Sequence, residues 1–555
     1  MARSRGNRRQ RKGAGKADRS ANVKLTRHDL SQLDEGYLRS LPEEQLRVLS
    51  AKLLADLKAA HERLDQNPSN SSRPPSSRVP WDRGESEQGR GKAQAGASTT
   101  QHPERNDDPD QGSPAAAERA SAQTGSEGGA SKTQEAKSSP RPGRQPGAPG
   151  HGRTQSLPIA QEHHHYPGHC AGCGESLLQA AAGGVHRACL VIDLITPTGE
   201  HHGLEVIQDK HLYHECQCGC GHITRAEPGH QDGDEHWTVA LSERHLAGPM
   251  LVALICALSL RMRLSRRRIQ EWLNDWLGLS LGVASINQCL HEAARALEPV
   301  LEEQLLAEVR ASELLHADET SWKESGQLLW LWVFTCATTT VYTIARRSQD
   351  VLHGMLGSVF NGWLMSDGYW AYRDYEQRLR CLTHLLRKAR GLEESLERQA
   401  QSFGLALRTC LETVMSAVYA AREGPPPSTS LRTQHAGAIN ALLQLAFEHH
   451  DSAHDKTRAL ARELLNDWDT FWVVLDHPEL PLTNNAAERA LRHWVIARRI
   501  SYGTRNPQGS RTFAVLASVI DTCRQRAHSP WAFIAETLRQ RRQGNPVPVL
   551  PAPAI

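Results

Sequence analysis

Residues Leu314 to Trp322 read LLHADETSW. Apolar and small residues lead into an acidic pair, and an aromatic residue closes the stretch. Downstream comes QLLWLWVFTCATTTVYTIA (327–345), rich in β-branched and aromatic residues, and then GWLMSDGYWAY (362–372). These compositions predict strands. Asp is a poor strand residue, and burying its charge unpaired is costly. Yet two of these predicted strands deliver an Asp at their polar end, Asp318 and Asp367. Two such carboxylates on neighbouring strands concentrate negative charge and call for a cation. Hard oxygen ligands with room for water suit Mg²⁺ or Mn²⁺.

A third acid stands further along, Glu488 in TNNAAERALR (483–492). Its spacing from Asn485 also fits an Asx-led capping box at a helix start, and on spacing alone the cap is the favoured reading. Arg489, Arg492, Arg498, Arg499, Arg505 and Arg511 follow with few acids between them. A basic surface beside a carboxylate site suits a polyanion such as DNA; a solvated helix face is the plainer reading. Cys381 and His384, in CLTHLLRKA, have a metal-like C-x-x-H spacing, but two ligands do not make a site, and core packing is favoured.

The cysteines carry a second signal. Cys170 and Cys173 form C-x₂-C, and CQCGCGH (216–222) offers Cys216, Cys218 and Cys220. Two such knuckles make a tetrahedral Cys₄ zinc ribbon. The C-x-C-x-C run leaves the second pair open: Cys216 with Cys218, Cys216 with Cys220, or Cys218 with Cys220. Cys189 reads as core, and the histidines around 163–169, 214 and 222 as surface.

The remaining organisation is read from composition across 555 residues. Residues 1–20 hold eight Lys or Arg and one Asp, a basic tail. Segment 21–66 contains a helix, with Leu46 and Leu53, and Leu57 and Leu64, at heptad spacing, which fits a short coiled coil or an amphipathic helix packed on something else. Residues 67–157 are rich in Ser, Pro, Gly and charge and predict a disordered linker. Then come the zinc-binding region (158–230), a helical region (231–306) that could be helix-turn-helix-like, a region (307–392) with strands at 311–380 and helix after Cys381, helices (393–479) and a final block (480–545). The longest apolar run, Ala247 to Leu260, is too short to span a membrane, and no apolar run follows the basic start as in a secretory signal.

HADETSW, SDGYWAY, CLTHLLRKA and NNAAERALR occur in that order, with 49 residues from Asp318 to Asp367 and 121 from there to Glu488. Together they resemble the signature blocks of the IS66-type insertion-sequence transposases, a branch of the DDE transposases. The leader, cysteine region and C-terminal block resemble that family too. The resemblance implies a multidomain α/β protein with an RNase H-like core, 307–392 and 480–545, split by a helical insertion at 393–479. Asp318 would lie on the first core strand, Asp367 on the fourth and Glu488 on a helix packed against them. These three would hold two Mg²⁺ or Mn²⁺ ions, roughly 3.5–4 Å apart, for in-line phosphoryl transfer. It further implies structural zinc and the ends of the protein's own element and target DNA as partners, with Arg489, Arg492, Arg498 and Arg499 as contacts. A homo-oligomer, small accessory proteins of the same element and a bacterial cytoplasmic, nucleoid-associated location complete the expectation. A DNA-binding regulator or a metal-dependent nuclease derived from such an enzyme are the alternatives.

Overall fold

The structure is a computed structural model. It describes residues 35–66, 70, 157–179, 182–197, 202–227, 230–232, 235–237 and 247–553, apart from 426 and 428. The basic tail and nearly all of the expected linker lie outside the described residues.

The architecture is mixed α/β with two mixed sheets. The N-terminal helices are α1 (Glu35–Ser40) and α2 (Glu43–Leu64). The first sheet follows: β1 (Ile159–His165), β2 (Ala182–Ile195), β3 (Glu205–Gln217) and β4 (Ile223–Arg225). Strand β3 runs between β1, which is parallel to it, and β2, which is antiparallel; β4 pairs with the end of β3. A short hairpin, β5 (His230–Asp232) and β6 (Glu235–Trp237), comes next.

The second sheet comprises β7 (Leu314–Glu324), β8 (Gln327–Thr335), β9 (Thr340–Ala345), β10 (Trp363–Ser366) and β11 (Arg378–Arg380). Their order is β11-β10-β7-β8-β9. Strands β7, β8 and β9 form an antiparallel meander, while β10 and β11 add in parallel on the other side of β7. The β7–β8 connection is two residues, Ser325 and Gly326, both at positive φ (49° and 86°), the twist a two-residue hairpin requires.

Before this sheet stand α3 (Pro249–Cys256), α4 (Arg266–Leu277), α5 (Val283–Pro299) and α6 (Leu306–Ala311); α7 (Gln349–Leu356) crosses from β9 to β10. After the sheet come α8 (Leu382–Glu393), α9 (Arg398–Glu423), α10 (Leu431–His449), α11 (Asp455–Asn466) and α12 (Trp468–Asp476). The last three are α13 (Asn485–Ser501), α14 (Pro507–Gln525) and α15 (Pro530–Gln543).

One apolar cluster joins α3–α6, the meander and α13–α15, from Leu251 and Ile286 through Trp332 and Phe334 to Trp494 and Leu538. The edge strand β9 is covered: the N–H groups of Thr340 and Tyr342 donate to Thr522 and Ser518 hydroxyls of α14. Covering an edge in this way removes a template for unwanted pairing.

Helices α8–α12 have their own core, including Phe403, Leu411, Leu464 and Trp472. A buried ion network ties that core to the sheet. Asp467 accepts from Arg373, Arg378 and Arg380, and Glu463 from Arg380 and Lys388. Gly368, directly after Asp367, is pressed against it: a Cβ there would lie 2.7 Å from both the Arg380 guanidinium and the Glu463 carboxylate.

Helix α2 buries none of its residues, and Leu46, Leu57 and Leu64 are exposed. Polar contacts hold its C-terminal half: Glu62 accepts from Ser395 and Lys456, and Lys58 pairs with Glu397. Among the described residues no helix is long and apolar enough to cross a membrane.

Candidate carboxylate centre and cysteine cluster

In the parallel pairing of β7 with β10, Leu314, Leu315 and His316 stand opposite Trp363, Leu364 and Met365. The offset is 49 residues, the same as the separation of the two aspartates. Carried two residues further, the register sets Asp367 level with Asp318. Asp367 is the first residue past β10, as the sequence suggests. Asp318 corrects that reading, because it is the fifth residue of an eleven-residue strand and not at its end. What ends near it is the neighbour: β10 stops at Ser366, while β7 continues along β8 to Glu324. Beside Asp318, β7 therefore has no strand paired on that side among the described residues.

Asp318 Oδ1 accepts the Glu319 N–H at 2.9 Å, and Asp367 Oδ1 accepts the Tyr369 N–H at 2.8 Å. Burial raises the Asp318 carboxyl well above its usual range, and the charges of Asp367, Glu319 and Glu488 raise it further. The three acids singled out in the sequence therefore lie within electrostatic reach of one another.

Glu488 arrives on α13. The capping-box reading fails here. The N-cap is Asn484, not Asn485, and it makes no side-chain cap hydrogen bond. The Asn484 side chain turns to β7 instead: Nδ2 donates to the Ala317 carbonyl at 2.8 Å, and Oδ1 lies 3.1 Å from His316 Nδ1. Glu488 Oε1 is buried without a hydrogen-bond partner. His384 Nε2 and Arg387 Nη1 each lie 3.8 Å from it. Mutually repelling carboxylates, one with an orphaned buried oxygen, are a donor set that fits hard divalent cations.

Residues that the sequence reading passed over complete the surroundings. Glu319 is buried and accepts from Tyr372 Oη (2.8 Å) and Arg347 Nε (2.8 Å). Burial and then Asp367 push its carboxyl up to about 7, against the pull of Arg347. Strand alternation points it away from Asp318, toward the 3₁₀ turn Trp370–Asp374. Its only signal in the sequence is adjacency to Asp318.

The arginines divide. Arg489, Arg492 and Arg499 are exposed on α13, as is Arg505 beyond it. Arg498 is spent internally, donating to Thr320 Oγ1 and to the Ser321 carbonyl and hydroxyl on β7. Arg511 pairs with Glu298 and Glu302.

In the turns that follow β1 and β3, Cys170, Cys173, Cys218 and Cys220 bring their sulfurs within 4.8 Å of one another. Cys170 and Cys220 are 3.7 Å apart, and Cys173 and Cys218 3.5 Å. Tetrahedral zinc with bonds of about 2.3 Å requires S···S near 3.8 Å, so the cluster is compatible with a zinc site. The Gly172 N–H points at Cys170 Sγ (3.4 Å), as in a zinc knuckle. Of the three cysteines in the second run, Cys218 and Cys220 are the two that cluster with Cys170 and Cys173. Cys216, on β3, is buried in the small apolar cluster with Leu177. The histidines are not simply surface: His164 bonds His214 and His165 bonds His211, each at 2.9 Å, across β1 and β3.

Comparison with known proteins finds a transposase family over part of this chain. Residues 244–512, the segment that holds the second sheet, α8–α12 and Glu488, match the family described as Transposase IS66 family. Among curated proteins it is similar to "Uncharacterized protein y4qI" of Sinorhizobium fredii (strain NBRC 101917 / NGR234), 26% identical over 279 residues, 44% of this chain and 51% of that one. "Uncharacterized protein y4jO" of the same organism is 27% identical over 186 residues, 34% of this chain and 54% of its own. The chain thus spans about half the length of these relatives.

Proposed function

We propose that this chain is a DNA transposase that cuts DNA at the ends of its own insertion sequence and joins the freed 3′-OH to target DNA. The observation that carries the reading is the shared register of Asp318 and Asp367; it is supported by Asn484, one turn before Glu488, bonding to Ala317 beside Asp318. The sheet order, an antiparallel meander extended by two parallel strands, supports an RNase H-like core with α8–α12 as its insertion. The domain limits read from the sequence belong to this proposal.

Asp318, Asp367 and Glu488 would hold the divalent cations, Mg²⁺ or Mn²⁺. When bound, these supply Lewis-acid activation of water or 3′-OH and neutralise charge on the phosphoryl group. The chain's own part is positioning: the side of β7 with no paired strand for the phosphodiester, and the exposed Arg489, Arg492 and Arg499 for neighbouring phosphates. Zinc held by Cys170, Cys173, Cys218 and Cys220 would stiffen the first sheet. The proposal extends to assembly as an oligomer bridging two ends, accessory proteins of the same element, and a cytoplasmic, nucleoid-associated location.

The test is cleavage and joining of an oligonucleotide carrying the element's end, with Mg²⁺, by wild type and Asp318→Asn. Metal-dependent cutting and joining that the substitution abolishes, with DNA binding retained, is the expected result. Equal activity of the variant would sink the assignment.

A further inference from the structure

The C-x-x-H pair that lacked partners in the sequence finds its third member in the fold. Cys381 is the N-cap residue of α8 and His384 lies in the first turn of that helix. Cys381 Sγ, a ring nitrogen of His384 and a carboxylate oxygen of Glu488 all lie within 4.8 Å of one another. Glu488 lies 104 residues beyond His384 and 107 beyond Cys381, and Asn484 joins them: its backbone N–H donates to Cys381 Sγ at 3.2 Å, while its carbonyl accepts the Glu488 N–H at 3.1 Å.

The separation of His384 Nε2 from Glu488 Oε1, 3.8 Å, is informative. It is too long for a hydrogen bond, which ends near 3.2 Å. It is too short for a bridging water, whose two legs of about 2.8 Å at a tetrahedral angle span roughly 4.5 Å. A cation with bonds of about 2.1 Å to nitrogen and oxygen reaches both without moving either. The buried oxygen of Glu488 has no hydrogen-bond partner. Arg387, at 3.8 Å from the same oxygen, adds positive charge beside the carboxylate but makes no hydrogen bond to it.

We infer that His384 is a nitrogen ligand at the carboxylate centre, sharing one divalent cation with Glu488. Cys381 forms the wall behind it. The inference rests on the transposase reading and deepens it. A mixed imidazole and carboxylate site shifts preference from Mg²⁺ toward Mn²⁺, since imidazole suits the transition metals and all-oxygen sites suit Mg²⁺.

The experiment is pulsed electron paramagnetic resonance of Mn²⁺ bound to the full chain, with its cysteine cluster loaded with zinc beforehand. Wild type should show ¹⁴N modulation from a directly bound imidazole. Uniform ¹⁵N-histidine labelling should change that modulation without altering the protein. His384→Gln should remove it while Mn²⁺ still binds, more weakly by about tenfold, and His493→Gln should leave it intact. Bound Mn²⁺ without nitrogen modulation, or modulation that survives His384→Gln, overturns the inference and leaves the carboxylate centre standing. No Mn²⁺ binding by wild type, or binding indifferent to Asp318→Asn, overturns the centre itself and this inference with it.

Discussion

The side-chain amide of Asn484 donates to the backbone carbonyl of Ala317 at 2.8 Å, pinning the start of α13 to the strand residue that precedes Asp318. Asn484 is fully buried, and its Oδ1 faces His316 Nδ1. One residue thus sets the distance from Glu488, a turn further along α13, to Asp318.

Asn484→Ala should therefore damage stability and activity together. It leaves the Ala317 carbonyl and His316 ring without that partner inside the protein, a cost of about 2 kcal/mol. Misplacing Glu488 by about 1 Å should lower end cleavage on the order of 10²-fold. Denaturant unfolding and a cleavage assay on the same preparation check both; an unchanged cleavage rate would detach Asn484 from the site.

The histidine stack between β1 and β3 should make the first sheet acid-sensitive. Burial, and then the charges of His163 and His165, lower the His211 imidazole to about 4 from its ordinary 6.5. A base whose folded value is depressed stabilises the fold above its unfolded value and loses that contribution as pH falls through the folded one. The window is pH 6.5 to 4. His211 is partly exposed, so solvent screening reduces the effect to about 1 kcal/mol. The difference in unfolding midpoint between wild type and His211→Gln, followed across that window, isolates it from any acid release of zinc.

Zinc content should separate the cysteines. Cys218→Ser and Cys220→Ser remove ligands and should lose stoichiometric zinc, loosening β3 and β4. Cys216→Ser should retain it, because Cys216 contributes packing with Leu177 and Cys170. Elemental analysis of the purified variants decides this; zinc loss in Cys216→Ser with retention in Cys218→Ser would reverse the pairing.

Two arginines six residues apart on α13 should behave differently. Arg492 is exposed, so Arg492→Ala should weaken DNA binding for all sequences and reduce the salt slope by about one. Arg498 bonds Thr320 and Ser321, so Arg498→Ala should lower stability by about 1 kcal/mol and leave the salt slope as it is. Filter-binding titrations across salt concentration, with thermal melts alongside, distinguish them.

Much of the carboxylate centre was legible because it is periodic. The 49-residue spacing of Asp318 and Asp367 is the register offset of β7 and β10, and the strand compositions around them are local signals. Glu488 was visible as an acid but ambiguous in role, since Asn485 followed by Glu488 fits a cap as well as a site. Asn484 took the cap position and then spent its side chain on another element. Arg498 reads like its neighbours along α13, and only the nearness of β7 makes it internal. The knuckle Cys170–Cys173 was plain, whereas three cysteines at alternate positions offered no local criterion for choosing two.

By itself the sequence determined the strand that bears Asp318, the strand that Asp367 follows, the presence of a thiol cluster and the family resemblance. These follow from residue types and short spacings, which act within a few residues along the chain. Only the tertiary structure decided that Cys218 and Cys220 face Cys173 and Cys170, that Asn484 grips Ala317, and that His384 meets Glu488 across 104 residues. Those contacts depend on how separate elements pack, and packing is set by the joint burial of many side chains, which no single stretch of sequence encodes.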